Sequence, residues 1–145
     1  RASRLDEALL AAVTDAVPPG SASLQRAWSR DAGAWFVAVV PVNPDACPFS
    51  VGAHGNGQVR FTLGSGTSFE LYGVWRERQL GLTKRLLAGI VAGRITEFGR
   101  GRRAYVEIGL VRGVYSSGPR RWLPLPPLRL PGRRYAPFAQ PPAAG

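Results

Sequence analysis

Two stretches of the chain repeat apolar residues at the three- and four-residue spacing of an amphipathic helix. In the first stretch, Leu5, Leu9 and Val13 follow Ser3, which is a residue type that often caps the N-terminus of a helix. Pro18 and the residues after it end this helix, which the pattern predicts over residues 4–17.

The second stretch predicts a helix over residues 77–92. Leu80, Leu86 and Ile90 lie on its apolar side, whereas Lys84 and Arg85 fall on the opposite side. Gly93 follows directly, and glycine is the residue most often found just after the end of a helix.

Between and after these helices, segments rich in β-branched and aromatic residues and bounded by turns predict strands, and in residues 58–63 apolar and polar residues also alternate with the two-residue period of a strand buried on one face. The predicted strands are residues 24–29, 34–42, 49–53, 58–63, 69–75, 94–98 and 102–111. Short turns separate several of them, most clearly the turn 55–57, where Gly-Asn-Gly accepts a positive φ. The pattern therefore predicts consecutive antiparallel hairpins.

The last thirty residues differ from the rest because they hold eight of the thirteen prolines. Proline interrupts both helices and strands, so we expect an extended or polyproline II backbone over residues 116–145. Trp122, Tyr135 and Phe138 are nevertheless apolar enough to anchor this arm on its own domain or on a partner. An Arg121-x-x-Pro124-x-x-Pro127 motif in the arm also matches polyproline ligands of aromatic grooves, although packing on the domain is the simpler interpretation.

These elements predict one α+β domain over residues 1–115, followed by the extended arm. Its architecture would be an antiparallel meander of about six or seven strands, with an N-terminal helix and one helix packed on the sheet. A chain of 145 residues is long enough for one hydrophobic core without a disulfide or a metal.

Charge is distributed unevenly along the chain, whose formal net charge is +10. Residues 98–145 carry nine arginines and one acid, Glu107, whereas residues 1–97 nearly balance ten bases with eight acids. A positive region of this kind attracts anionic partners. We therefore expect a non-enzymatic protein that binds an acidic protein surface through its basic C-terminal third.

An alternative partner for the same region is RNA or DNA, because arginine pairs with phosphates and aromatic rings stack on bases. A solvated basic face without any ligand is the simplest alternative. The candidate contact residues for either partner are Arg100, Arg102, Arg103, Arg112, Arg120, Arg121, Trp122, Arg129, Arg133, Arg134 and Tyr135.

Residues 64–97 combine a turn, the strand sequence Ser-Phe-Glu-Leu-Tyr, a helix and the exit Val91-Ala92-Gly93-Arg94. This segment resembles small actinobacterial immunity-like α+β proteins, which implies binding and blocking a toxin rather than catalysis. Immunity proteins against basic nucleases tend to be acidic, and this chain is basic. The resemblance therefore implies a target with an acidic surface.

A third hypothesis is a small ribonuclease, because His54 is the only histidine, and histidine is the residue type whose ordinary pKa lies closest to neutral pH. In this hypothesis Glu70 is the general base and His54 the general acid, while Arg60 or Arg76 stabilises the phosphorane-like charge. A histidine beside a glycine-rich turn is more often an exposed turn residue.

Other chemistry has little support in the sequence. Cys47 is the only cysteine, so we expect a structural thiol, with neither a metal site nor a cofactor. The apolar runs are shorter than the roughly 18 residues that suggest a membrane span, and no leader pattern precedes residue 1. We therefore expect a cytoplasmic protein with no membrane partner.

Overall fold

A computed structural model of the chain describes residues 4–30, 32–54, 57–64, 66–71, 77–98, 105–109, 111–116 and 132–140. The side chains at positions 54, 77–79, 105 and 111–116 fall outside this description. In chain order the elements are α1 (Arg4–Ala16), β1 (Ala22–Ser29), β2 (Ala34–Pro41), β3 (Phe49–His54), β4 (Gln58–Leu63), β5 (Thr67–Leu71), α2 (Glu77–Val91), β6 (Ile95–Phe98), β7 (Tyr105–Ile108), β8 (Val111–Ser116) and β9 (Gly132–Arg134).

Strands β1 to β5 form one antiparallel sheet in sequence order, as successive hairpins. Strict alternation in β4 buries Val59, Phe61 and Leu63 on one face and leaves Arg60 and Thr62 half-buried on the other. The Phe61 ring stacks on Phe69 of β5 with centroids 5.0 Å apart. The two-residue period of the sequence is thus confirmed here, because one sheet face belongs to the core.

Both predicted helices are confirmed and bury the apolar stripes that the sequence indicated. Helix α1 contacts α2 and β3, and α2 also lies against β7. At this last contact a Cβ on Gly89 would lie 2.9 Å from the Ile108 Cγ2 atom, so the missing side chain lets helix and strand approach closely. The buried helix residues are Leu5, Leu9, Ala12 and Val13 in α1, and Leu86, Leu87, Ile90 and Val91 in α2.

The α+β class with antiparallel strands is confirmed, but the described strands form two sheets rather than one meander of six or seven strands. The second sheet has four strands in the order β8-β7-β6-β9, and β8 lies beside β5 of the first sheet. Residues 102–111 do not form the one strand expected, since β7 ends at Ile108 and the chain turns at Gly109, whose φ is 51°. Strand β8 then runs back along β7, with a register shift at the end of the pair.

The described part of the C-terminal arm, residues 132–140, packs on the domain. Strand β9 pairs antiparallel with β6, and the residues that follow carry Tyr135 and Phe138 into the core, where each is 3% exposed. None of the helices in the described ranges has both the length and the apolarity that a membrane span requires.

Candidate functional site

An open pocket of about 590 Å³ lies between the end of α2 and the segment that follows β9. Its polar rim carries three arginines, Arg94, Arg133 and Arg134, together with Asp45. We call these four residues and the cavity between them the arginine pocket. Its remaining lining residues are Ala92, Gly93, Tyr135, Ala136, Pro137 and Gln140.

The close approach of two backbones forms the floor of the arginine pocket. Gly93 has a φ of 74°, a conformation that residues with a side chain rarely adopt, and it ends α2 as the sequence indicated. A Cβ at this position would lie 2.5 Å from the backbone nitrogen of Pro137. Glycine is therefore needed here both for the helix end and for the passage of the C-terminal segment.

Backbone hydrogen bonds hold the C-terminal segment against the domain. The Ala136 N–H donates to the carbonyl oxygen of Asp45 at 2.8 Å, and the Phe138 N–H donates to that of Val91 at 2.9 Å. The Phe138 ring then packs against Phe49, with centroids 6.2 Å apart. The pocket wall is thus tied to a loop, a helix and a strand of the domain.

The electrostatic character of the arginine pocket follows from three exposed cations and one exposed anion. Within the described ranges no carboxylate lies within ion-pair distance of Arg94, Arg133 or Arg134. Arg94 also lies just beyond the C-terminus of α2, where the helix dipole favours a positive charge. The rim can therefore pair with carboxylates or phosphates supplied from outside.

Beneath the pocket lies a buried acid that the sequence analysis missed. Glu97 is 4% exposed; its Oε1 accepts a hydrogen bond from the Tyr135 hydroxyl at 2.7 Å, and its Oε2 accepts one from the Thr67 hydroxyl at 2.6 Å. These bonds join β5 of the first sheet, β6 of the second and the C-terminal segment. Alternation along β6 could have indicated this, because Ile95 points inward and Glu97 lies two residues later.

Two ionisable groups near Glu97, Tyr135 and Cys47, have raised pKa values that keep them protonated. Burial raises the pKa of Tyr135 well above its usual range, and its hydrogen bond to Glu97 raises that pKa further. Burial also raises the pKa of the Cys47 thiol to about 12. Because Cys47 is fully buried and its thiol donates to the Pro48 carbonyl at 3.4 Å, it is a structural residue rather than a reactive thiolate.

Two of the predicted contact residues, Arg133 and Arg134, lie on the surface and share the rim with Arg94, which the sequence analysis had not selected. Tyr135 does not share this surface. Its ring is buried, and the Arg133 guanidinium covers it at 4.8 Å from the ring centroid. Burial of the ring agrees with the expectation that Tyr135 anchors the arm on its own domain, and contact of Tyr135 with a base or a partner stays a prediction.

Most of the other predicted contact residues lie outside the described residues. These are Arg100, Arg102, Arg103, Arg120, Arg121, Trp122 and Arg129. Arg112 lies in β8, in the part of that strand for which only the backbone is described. A single positive surface formed by all of these residues stays a prediction.

The residues of the ribonuclease hypothesis are described in part. Arg60 and Glu70 lie opposite each other on β4 and β5, and the Arg60 Nη2 lies 2.6 Å from the Glu70 Oε1. This is a half-exposed cross-strand ion pair on the side of the sheet away from the helices. His54 ends β3 opposite Gln58, while its side chain and Arg76 lie outside the description. The ribonuclease stays a prediction.

Comparison of the chain with protein-family models, curated proteins and solved structures finds no match. In the described part of the chain, no group of three or more His, Cys, Asp or Glu side chains could hold a metal ion.

Proposed function

We propose that this chain is a non-enzymatic binding protein that engages an acidic surface of another protein through its basic C-terminal third. The arginine pocket is the centre of this surface. Its three exposed arginines, without carboxylate partners in the described structure, are the observation that carries the proposal.

The ordered conformation of the site favours a protein partner. Residues 132–140 are fixed by backbone hydrogen bonds and by two buried aromatic rings, so the arginines are presented from an ordered scaffold. A pre-organised surface loses less conformational entropy on binding than a flexible one. In addition, Tyr135 is the one aromatic ring among the predicted contact residues that the structure describes, and its burial does not favour base stacking.

The partner would offer two or more carboxylates close together. An arginine guanidinium pairs with a carboxylate through two parallel hydrogen bonds, which gives the contact a defined geometry. An acidic toxin would meet this requirement, and the resemblance of residues 64–97 to immunity-like proteins suggests that class of target.

The test is an affinity purification from the native host with two matched double variants as baits. The first double variant, Arg94→Gln with Arg134→Gln, removes two positive charges from the rim and leaves Arg133 in place on the Tyr135 ring. Lys84→Gln with Arg85→Gln removes the same charge from exposed positions on α2. We expect the wild-type chain to capture a discrete protein, and the complex to survive nuclease treatment. The α2 variant should retain this protein, whereas the rim variant should bind it about tenfold more weakly, equivalent to about 1.4 kcal/mol.

Three outcomes would contradict the proposal. Equal binding by both variants would remove the arginine pocket from the interaction. Loss of the captured material after nuclease treatment would favour nucleic acid, for which affinity should fall with salt at a slope near −0.7 per phosphate contact on single strands. RNA cleavage by the purified chain, abolished in a folded His54→Ala variant, would favour the ribonuclease.

A further inference from the structure

The outer edge of β1 is unpaired among the described residues. Strand β1 ends the order of the five-stranded sheet and pairs with β2 through eight consecutive residue pairs, from Ala22 opposite Pro41 to Ser29 opposite Ala34, with no register shift. Such an edge presents a row of backbone N–H and C=O groups that another strand can pair with.

Proteins usually protect long edge strands with proline, a bulge, several charges or a covering element. Strand β1 contains no proline or glycine and has one charged residue, Arg26. Trp28 is 52% exposed and Leu24 is 39% exposed. Strand β1 therefore lacks proline, a bulge and a cluster of charges as protection, and among the described residues no strand pairs with its outer edge.

The side chains on one face of β1 form an ordered row. Every second residue of β1, namely Leu24, Arg26 and Trp28, lies on this face. Their partners on β2 are Val39, Val37 and Trp35 respectively. The Trp28 and Trp35 rings meet edge to face at 5.5 Å, and the Arg26 guanidinium lies 4.7 Å from the centre of the Trp35 ring. Arg26 is thus positioned between two apolar side chains, and within the described ranges no carboxylate is within ion-pair distance.

We propose that the outer edge of β1 binds an extended segment of another protein by strand addition. That segment carries an acidic side chain opposite Arg26 and apolar side chains two positions before and after it, opposite Leu24 and Trp28. Backbone hydrogen bonds supply affinity in this mode of recognition, and the alternating side chains supply specificity. The surface belongs to the first sheet and is separate from the arginine pocket, so it can operate whether or not that pocket binds a protein.

Charge decides against a second copy of this chain as the occupant. An antiparallel pair of β1 strands with matching faces can be centred on Arg26, which sets the two guanidinium groups directly opposite each other. The two neighbouring registers, centred on Gln25 and on Ala27, set Leu24 or Trp28 opposite Arg26 and leave both guanidinium groups without an acid. Two chains of net charge +10 also repel each other.

The test is a selection from a displayed library of random peptides as long as β1, carried out on the wild-type chain. Peptides that also bind a folded Trp28→Lys variant are discarded. We expect the enriched peptides to share an acidic residue with apolar residues at the second position on either side. A synthetic peptide of the enriched sequence should bind Arg26→Glu about tenfold more weakly, equivalent to about 1.4 kcal/mol.

A second selection on Arg26→Glu supplies the decisive comparison, because the central residue should change from acidic to basic. Lys84→Glu makes the same charge change on α2 and should leave the preference acidic. Failure to enrich this pattern on the wild-type chain, or a preference unchanged by Arg26→Glu, would overturn the proposal. Concentration-dependent dimers of the wild-type chain that Trp28→Lys abolishes would also overturn it, because the occupant would then be a second copy.

Discussion

The two sheets of this molecule end in edges of opposite character. Strand β1 is eight residues long, carries one charge and exposes Leu24 and Trp28. Strand β9 is three residues long, carries two exposed arginines and leads directly into the buried rings of Tyr135 and Phe138. Short length and charge protect β9 from further strand pairing, whereas β1 has neither protection.

Both edges nevertheless use an arginine stacked on an aromatic ring. Arg26 covers the half-exposed ring of Trp35 at 4.7 Å, and Arg133 covers the buried ring of Tyr135 at 4.8 Å. The same contact therefore serves two purposes. On β1 it holds a cation beside exposed apolar side chains, and on β9 it closes the core.

The largest expected difference between the two edges is in the free energy of unfolding that their aromatic side chains contribute. Phe138→Ala removes a buried ring that packs on Phe49 and should lower the free energy of unfolding by about 3–5 kcal/mol. Trp28→Ala removes a half-exposed ring and should cost about 1 kcal/mol. Urea unfolding of both variants measures the difference, and equal losses would mean that the C-terminal segment is not part of the core.

The two regions should also differ in how much stability a single side-chain hydrogen bond contributes. Tyr135→Phe removes a donor to the buried Glu97 carboxylate and should cost about 1–3 kcal/mol. As a control, Thr62→Val removes a half-buried hydroxyl that lies 3.1 Å from Ser68 in the first sheet, and it should cost less than about 1 kcal/mol. A smaller loss for Tyr135→Phe than for Thr62→Val, by urea unfolding, would contradict the role of Glu97 in joining the sheets.

Alkaline pH should lower the free energy of unfolding through the buried Cys47 thiol. Burial raises the pKa of the Cys47 thiol from its ordinary value of 9.0 to about 12, so between these pH values the folded chain keeps a proton that the unfolded chain loses. The stability due to this group is complete below pH 9 and should fall above it by about 1.4 kcal/mol per pH unit. The unfolding free energy of Cys47→Ala, measured across the same pH range, should decrease less steeply than that of the wild type; equal slopes would contradict the prediction.

The smallest expected difference lies between the two stacked arginines. Arg26→Ala should cost about 0.5 kcal/mol, since a cation–π contact on an exposed ring is weak. Arg133→Ala should cost about 1 kcal/mol, because it also uncovers the Tyr135 ring. Thermal unfolding of the two variants, with Arg30→Ala as an exposed control on the same hairpin as Arg26, tests this order. A larger loss for Arg26→Ala would reverse the comparison.

Much of the first sheet could be predicted from the sequence. The hairpin of β1 with β2 follows from a short turn that ends in Gly33 and from the β-branched and aromatic residues of β2, and that of β3 with β4 follows from a glycine-rich turn and from the alternation in β4. Both helices follow from apolar spacing and from their flanking residues. These signals are local, because a strand with one buried face or a helix with one buried stripe shows its period within its own residues.

The second sheet could not be predicted in the same way. Strand β9 is short, follows a proline-rich stretch and contains two arginines, so nothing within it indicates pairing with β6 more than thirty residues earlier. The sequence allows two roles for Tyr135, an anchor on the domain and a contact residue beside Arg133 and Arg134, and nothing local decides between them. Its burial depends on Glu97 and on the end of α2, which lie far away along the chain.

Local sequence signals alone determined the two helices and the hairpins of the first sheet, and the distribution of charged residues alone determined that the C-terminal third is basic. The tertiary structure decided that β9 returns to β6, that Glu97 is buried between two hydroxyl groups, and that Arg94 joins Arg133 and Arg134 around one pocket. The physical reason is the range of the interactions. Helical and strand periods act between near neighbours in the chain, whereas burial and charge clustering depend on which distant segments the fold brings together.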